Sequence, residues 1–73
     1  MKQAYQTLTN NLILIQGRQT NEEMARQIGA KSAGTWRARL SAPGTLTVAE
    51  ITALSKKYGV PIESLLTKNL LKG

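Results

Sequence analysis

The sequence contains no cysteine, no histidine and no aspartate. Without cysteine there is no disulfide framework and no thiolate metal site to staple a small fold. Its only carboxylates are Glu22, Glu23, Glu50 and Glu63. That inventory excludes a catalytic triad, a zinc-bound water and an aspartate pair. It leaves only a lone-Glu or lone-Lys mechanism, so a non-enzyme without cofactor or metal is expected. Long hydrophobic runs are missing too. The longest, Leu12-Ile13-Leu14-Ile15, falls far short of the roughly 18–20 residues of a membrane span. Lys2 is followed by no apolar segment or cleavage site, so no signal peptide is expected. The absence of cysteine fits a cytoplasmic location.

What remains is 73 residues with ten Lys and Arg against four Glu, a formal charge of +6. The length predicts one domain, residues 1–73, with a core so thin that nearly every apolar residue is needed. The excess charge points to an anionic partner, nucleic acid before anionic membrane. Its distribution sharpens the point. Between Glu23 and Glu50 there is no acid, and Arg26, Lys31, Arg37 and Arg39 all fall in that gap.

The chain has no repeat and no linker, and no run alternates β-branched or aromatic residues with polar ones as a strand would. Five helical segments are expected. The first, Lys2 to Gln16, carries Tyr5, Leu8, Leu12 and Ile15 on one stripe, with Ile13 and Leu14 widening the apolar face before Gly17 stops it. The second opens on Thr20-Asn21-Glu22-Glu23, a capping box, buries Met24, Ala25 and Ile28, and ends at Gly29. The third is capped by Ser32 and turns Ala33, Trp36 and Leu40 inward, with Trp36 read as core rather than as a base-stacking ring. Ser41-Ala42-Pro43-Gly44 closes it. The fourth starts with a second capping box, Thr47 to Glu50, and its inner face is Val48, Ile51, Leu54 and Tyr58, the tyrosine hydroxyl reaching the surface. The fifth has Pro61 in its first turn and turns Ile62, Leu65 and Leu66 inward, with Leu70 and Leu71 extending the stripe. The expected fold class is therefore a compact all-α domain of five short helices.

Helices two and three, about residues 20–41, are joined by a very short connector, and the second of the pair is basic. That is the arrangement of a helix-turn-helix. On the third helix, the face opposite Ala33, Trp36 and Leu40 holds Gly34, Thr35, Ala38 and Ser41, with Arg37 and Arg39 on its flanks. A face of small residues lets a helix approach bases closely, and flanking arginines then reach guanine edges or phosphates. The helix carries no acid of its own to compensate them. Base readout is assigned to Ala33, Gly34, Thr35, Ala38 and at least one of Arg37 and Arg39. Lys31, Ser32 and the first-turn N–H groups are assigned to a phosphate or the first base. Lys56-Lys57 is read as a solvated face.

From Tyr5 to Leu66 the sequence resembles the λ-repressor-like family of phage Cro and repressor domains. The residues that carry the resemblance are Met24-Ala25 with Ile28-Gly29, Ser32 with Thr35-Trp36-Arg37-Ala38-Arg39-Leu40, Pro43-Gly44-Thr45-Leu46-Thr47 leading to Glu50-Ile51, and Tyr58-Gly59-Val60-Pro61. The chain departs from the family in one place. The stretch from Gly29 to Ser32 is one residue longer than usual, so the small apolar residue of the turn is either Ala30 or absent. The resemblance implies a sequence-specific double-stranded DNA-binding regulator, a Cro-type repressor of a phage or mobile element. Its third helix would read the major groove, and Thr20 and Asn21 would touch phosphate. It also implies a homodimer on an operator. The family often pairs through its last helix, and the apolar surplus at Ile13, Leu14, Leu66, Leu70 and Leu71 either serves such a pairing or is covered by the two terminal segments packing on each other inside the monomer. No small-molecule ligand and no membrane are expected as partners. A different class of function is a protein-interaction module on the same fold, an antitoxin or anti-repressor, which would bind DNA weakly. An interfacial membrane peptide is disfavoured, because the capping boxes break the chain where such a peptide needs one continuous amphipathic face.

Overall fold

The computed structural model describes residues 6–68 and 70. Expectations placed on Lys2, Tyr5, Leu71, Lys72 and Gly73 lie outside the described residues. Five α-helices follow one another: α1 (Gln6–Gln16), α2 (Asn21–Gln27), α3 (Ala33–Ser41), α4 (Val48–Tyr58) and α5 (Ile62–Thr67). A single 3₁₀ turn, Pro43–Thr45, links α3 to α4. No strand occurs among the described residues. The radius of gyration, 11.3 Å, is the ~11 Å expected of one packed body of this length.

Both capping boxes form. The Thr20 hydroxyl accepts from the Glu23 N–H at 3.1 Å, and the Glu23 carboxylate accepts from the Thr20 N–H at 2.9 Å. Thr47 and Glu50 repeat the arrangement at 3.1 and 3.0 Å. Each box satisfies two of the N–H groups that a helix start leaves orphaned. The α2 end is equally defined. Gly29 adopts φ +77°, the Gly29 N–H bonds Arg26 O, and the Ala30 N–H bonds Ala25 O at 2.8 Å. This pairing is a Schellman closure, which needs a residue at positive φ. It turns Ala30 back onto the core, where it packs half-buried, so Ala30 does serve as the apolar residue of the turn.

The core is Leu8 and Leu12 from α1, Met24, Ala25 and Ile28 from α2 and its end, Trp36 from α3, Ile51 and Leu54 from α4, and Leu65 from α5. Ile15, Leu40, Tyr58, Ile62 and Leu70 pack around it.

Three readings of apolar residues are corrected. Val48 does not face inward; it is 80% exposed. It is the first residue of α4, whose opening turn overhangs the core, and the buried position there belongs to Glu50, held by its cap and by an arginine. Leu66 is exposed, because the six-residue α5 turns Leu65 to the centre. Ile13 and Leu14 do not widen the packed face of α1; both are exposed. The face widens instead toward Asn11, which is 1% exposed. Its Nδ2 donates to Leu65 O and Lys68 O, each at 2.8 Å, and its Oδ1 accepts from the Leu70 N–H at 3.1 Å. The side chain thereby satisfies carbonyls that the C-terminal end of α5 cannot satisfy itself, and ties that end to α1. One smaller adjustment concerns Pro61, which stands at the N-cap of α5 rather than inside its first turn.

Candidate nucleic-acid interface

Among the described residues, the packing of α2 on α3 is the most extensive between any two helices. It fixes α3 through Trp36, which is fully buried, and the indole carries a polar tether as well: Nε1 donates to Gln16 Oε1 at 2.9 Å. Gln16 in turn donates to Gln19 O and Asn21 Oδ1, each at 2.8 Å. One glutamine at the end of α1 thus orients both the start of α2 and the middle of α3. A second network lies beside it. Gln19 donates to the Tyr58 hydroxyl at 3.0 Å, the hydroxyl donates to Gln27 Oε1, and Gln27 donates back to Gln19 Oε1 at 2.6 Å. The half-buried Tyr58 hydroxyl therefore links α4 to α2 through hydrogen bonds. Closed rings of this kind resist shear because every donor has a fixed acceptor.

With its inner side so fixed, α3 presents Gly34, Arg37, Ala38 and Ser41 as exposed residues, while Thr35 is half-buried. Among the described residues no ion pair involves Arg37, Lys31 or Arg26. Lys31 and Ser32 are exposed at the mouth of α3, and Ala33 is half-buried behind them. Ser32 is the N-cap, yet its side chain makes no capping bond, unlike Thr20 and Thr47. The Thr35 N–H is taken up by Ser32 O at 3.1 Å. Beside this helix start lies a notch of about 350 Å³ lined by Glu22, Ala25, Arg26, Ala30, Lys31, Ser32 and Ala33. At the start of α2, the Thr20 hydroxyl is engaged by its own capping box and Asn21 Oδ1 by Gln16.

Arg39 differs from Arg37. Its Nε and Nη2 donate to the two oxygens of Glu50 at 2.8 and 3.1 Å. The compensating acid that α3 lacks in its own sequence is supplied by α4, so of the two arginines only Arg37 is without an acid partner among the described residues. Hydrogen bonding from Arg39 holds the Glu50 carboxyl below the usual carboxylate range, against the opposing pull of burial and with help from the Thr47 N–H.

Of the residues predicted as one site, Lys31 and Ser32 precede α3, Ala33, Gly34, Thr35, Arg37, Ala38 and Arg39 lie on it, and Thr20 and Asn21 stand at the start of α2. Sequence reasoning missed Gln16, Gln19, Gln27 and Glu50, which hold that face in place. The one signal for Glu50 was its capping-box spacing. Among the described residues no three His, Cys, Asp or Glu side chains gather as metal ligands. No helix among them is long and apolar enough to cross a membrane. Comparison with known proteins returns no matching family model, no matching curated protein and no matching solved structure.

Proposed function

We propose that this protein is a sequence-specific double-stranded DNA-binding regulator of the λ-repressor-like, Cro-type kind, in which α2 and α3 act as a helix-turn-helix and α3 reads the major groove. The observation that carries the reading is the outer face of α3. It is held rigid from behind by Trp36, it exposes the small residues Gly34 and Ala38, and it bears an arginine, Arg37, with no ion-pair partner among the described residues. A helix of this shape enters a groove about 12 Å wide with its backbone close to the base edges. Ala33, Thr35 and Ala38 supply methyl contacts for thymine, Arg37 supplies a fork for guanine, and the α3 N-terminus with Lys31 and Ser32 receives a phosphate. Thr20 and Asn21 approach the backbone from the start of α2.

The exposed apolar residues support a second copy of the chain as partner on DNA. Val48 and Leu66 line one apolar groove with Leu46, Ile51 and Ile62, and Ile13 and Leu14 are exposed on α1. A two-fold dimer places its half-sites about 34 Å apart on a pseudo-palindromic operator. The same apolar surface is what an interaction module would use, and DNA binding separates the two readings. Selection from a random duplex pool, followed by titration of selected and random duplexes over a salt series, is the test. A regulator binds the selected site at least ~10³ times more tightly, with a steep salt slope. Equal, weak binding to both duplexes rejects the reading in favour of a protein partner.

A further inference from the structure

Arg39 and Glu50 form the single ion pair among the described residues, and they join one flank of α3 to α4. We propose that Glu50 is a specificity-determining positioning residue: it clamps Arg39 against α4, withholds that guanidinium from DNA and leaves Arg37 as the arginine that α3 presents to the bases. The inference rests on the DNA-binding reading above and deepens it.

The clamp is rigid on the acid side. Glu50 is 8% exposed, and its Oε1 also accepts from the Thr47 N–H of the capping box, so the carboxylate has no freedom to follow a departing arginine. It is two-pronged on the arginine side, using Nε and Nη2, the geometry in which a guanidinium is most firmly held. The Arg39 side chain retains only 21% of its exposure. Moving it to a phosphate would leave Glu50 unpaired near a polyanion, which adds repulsion to the loss of the pair. The consequence for recognition follows from what phosphate contacts do. Each adds sequence-independent affinity through counterion release and carries no base information. Withholding one cation therefore lowers binding to random DNA while the base contacts of α3 are kept, and specificity is the difference between the two.

The experiment is the salt dependence of duplex binding for the wild type, Arg39→Gln, Glu50→Gln and the double variant, with folding checked by circular dichroism. Glutamine at position 50 can still complete the capping box, so Glu50→Gln tests the clamp rather than the cap. Glu50→Gln should steepen the salt slope by about one and tighten binding to random duplex by up to about tenfold at 0.1 M salt. The double variant should return to the wild-type slope. An unchanged slope in Glu50→Gln, or a double variant that keeps the steeper slope, overturns the proposal. A readout on the wild type alone covers the case in which a variant does not fold. The Arg39 Nε–H resonance should keep its shift and its exchange protection on saturation with DNA, and its loss overturns the proposal. A wild-type protein that does not prefer selected to random duplex rejects the regulator reading itself, an outcome distinct from any of these.

Discussion

The indole N–H of Trp36 lies 2.9 Å from Oε1 of Gln16, so the helix that faces outward with Arg37 is fastened from behind to the last residue of α1. Trp36 is fully buried, and its position in the core sets the position of everything on the opposite side of α3.

Trp36→Ala should therefore remove more than a contact. Deleting a buried aromatic costs about 3–5 kcal/mol, which rivals the whole stability of a domain of this size. Circular dichroism at 25 °C should show an unfolded or largely unfolded chain. Trp36→Phe keeps most of the packing but leaves Gln16 Oε1 without its donor. It should stay folded and lose about 1–3 kcal/mol in urea denaturation.

Asn11 predicts a loss of a different kind. Asn11→Leu keeps the volume but breaks three hydrogen bonds to Leu65, Lys68 and Leu70. At about 1 kcal/mol net for each bond, the cost is about 2–4 kcal/mol once buried groups are left unpaired. Hydrogen exchange should locate it, with the Leu70 amide losing protection before the amides of α2 and α3.

Gly34 separates stability from recognition. A Cβ built there meets nothing closer than the Ser32 hydroxyl at 3.7 Å, so alanine fits the folded chain. Gly34→Ala should raise stability by up to about 1 kcal/mol through helix propensity. The added methyl stands on the face proposed to approach the bases, so affinity for the selected duplex should fall. Opposite signs in thermal denaturation and in DNA titration are the expected result. A variant that is both more stable and equally tight places Gly34 away from DNA.

Arg37→Ala should weaken binding to the selected duplex by about 1–3 kcal/mol and relax the preference at one base position. Its effect on thermal stability should be small, since Arg37 is exposed and in no ion pair. Titration against single-base variants of the selected site checks both parts.

The Glu50 carboxyl gives an acid-side prediction. Its folded pKa lies below its ordinary value because Arg39 donates to the charged form. Stability linked to it is complete above the ordinary glutamate range and is lost as pH falls through that range toward the lowered folded value. Urea midpoints taken from pH 7 to pH 3 should fall less steeply for Glu50→Gln than for the wild type.

Much of this fold is legible in the sequence because short helices announce their ends. Thr20 with Glu23, Thr47 with Glu50, and glycines at 17, 29 and 59 placed the boundaries, and the 3.6-residue spacing of Leu8, Leu12, Met24, Ile28, Trp36, Ile51 and Leu54 placed the core. The candidate face of α3 followed from Ala33, Trp36 and Leu40, since fixing the inner side of a helix fixes the outer. Periodicity failed at helix ends. Val48 and Leu66 sit where a stripe runs past the body that would bury it. Polar residues were the other gap. Asn11, Gln16, Gln19 and Gln27 act through partners 3 to 59 positions away, and nothing in local spacing marks a buried amide from a solvated one. The pairing of Arg39 with Glu50, 11 residues apart on different helices, was hidden for the same reason.

The central claim is that α3 reads bases from the major groove, and a base-analogue scan of the selected duplex tests it most directly. Replacing guanine by 7-deazaguanine removes a major-groove acceptor, replacing thymine by uracil removes a major-groove methyl, and replacing guanine by inosine removes only the minor-groove amino group. The account predicts losses of about 1–3 kcal/mol at particular 7-deazaguanine and uracil positions, abolished at one of them in Arg37→Ala, and little change with inosine. Losses confined to inosine, or no loss with any analogue, would contradict it.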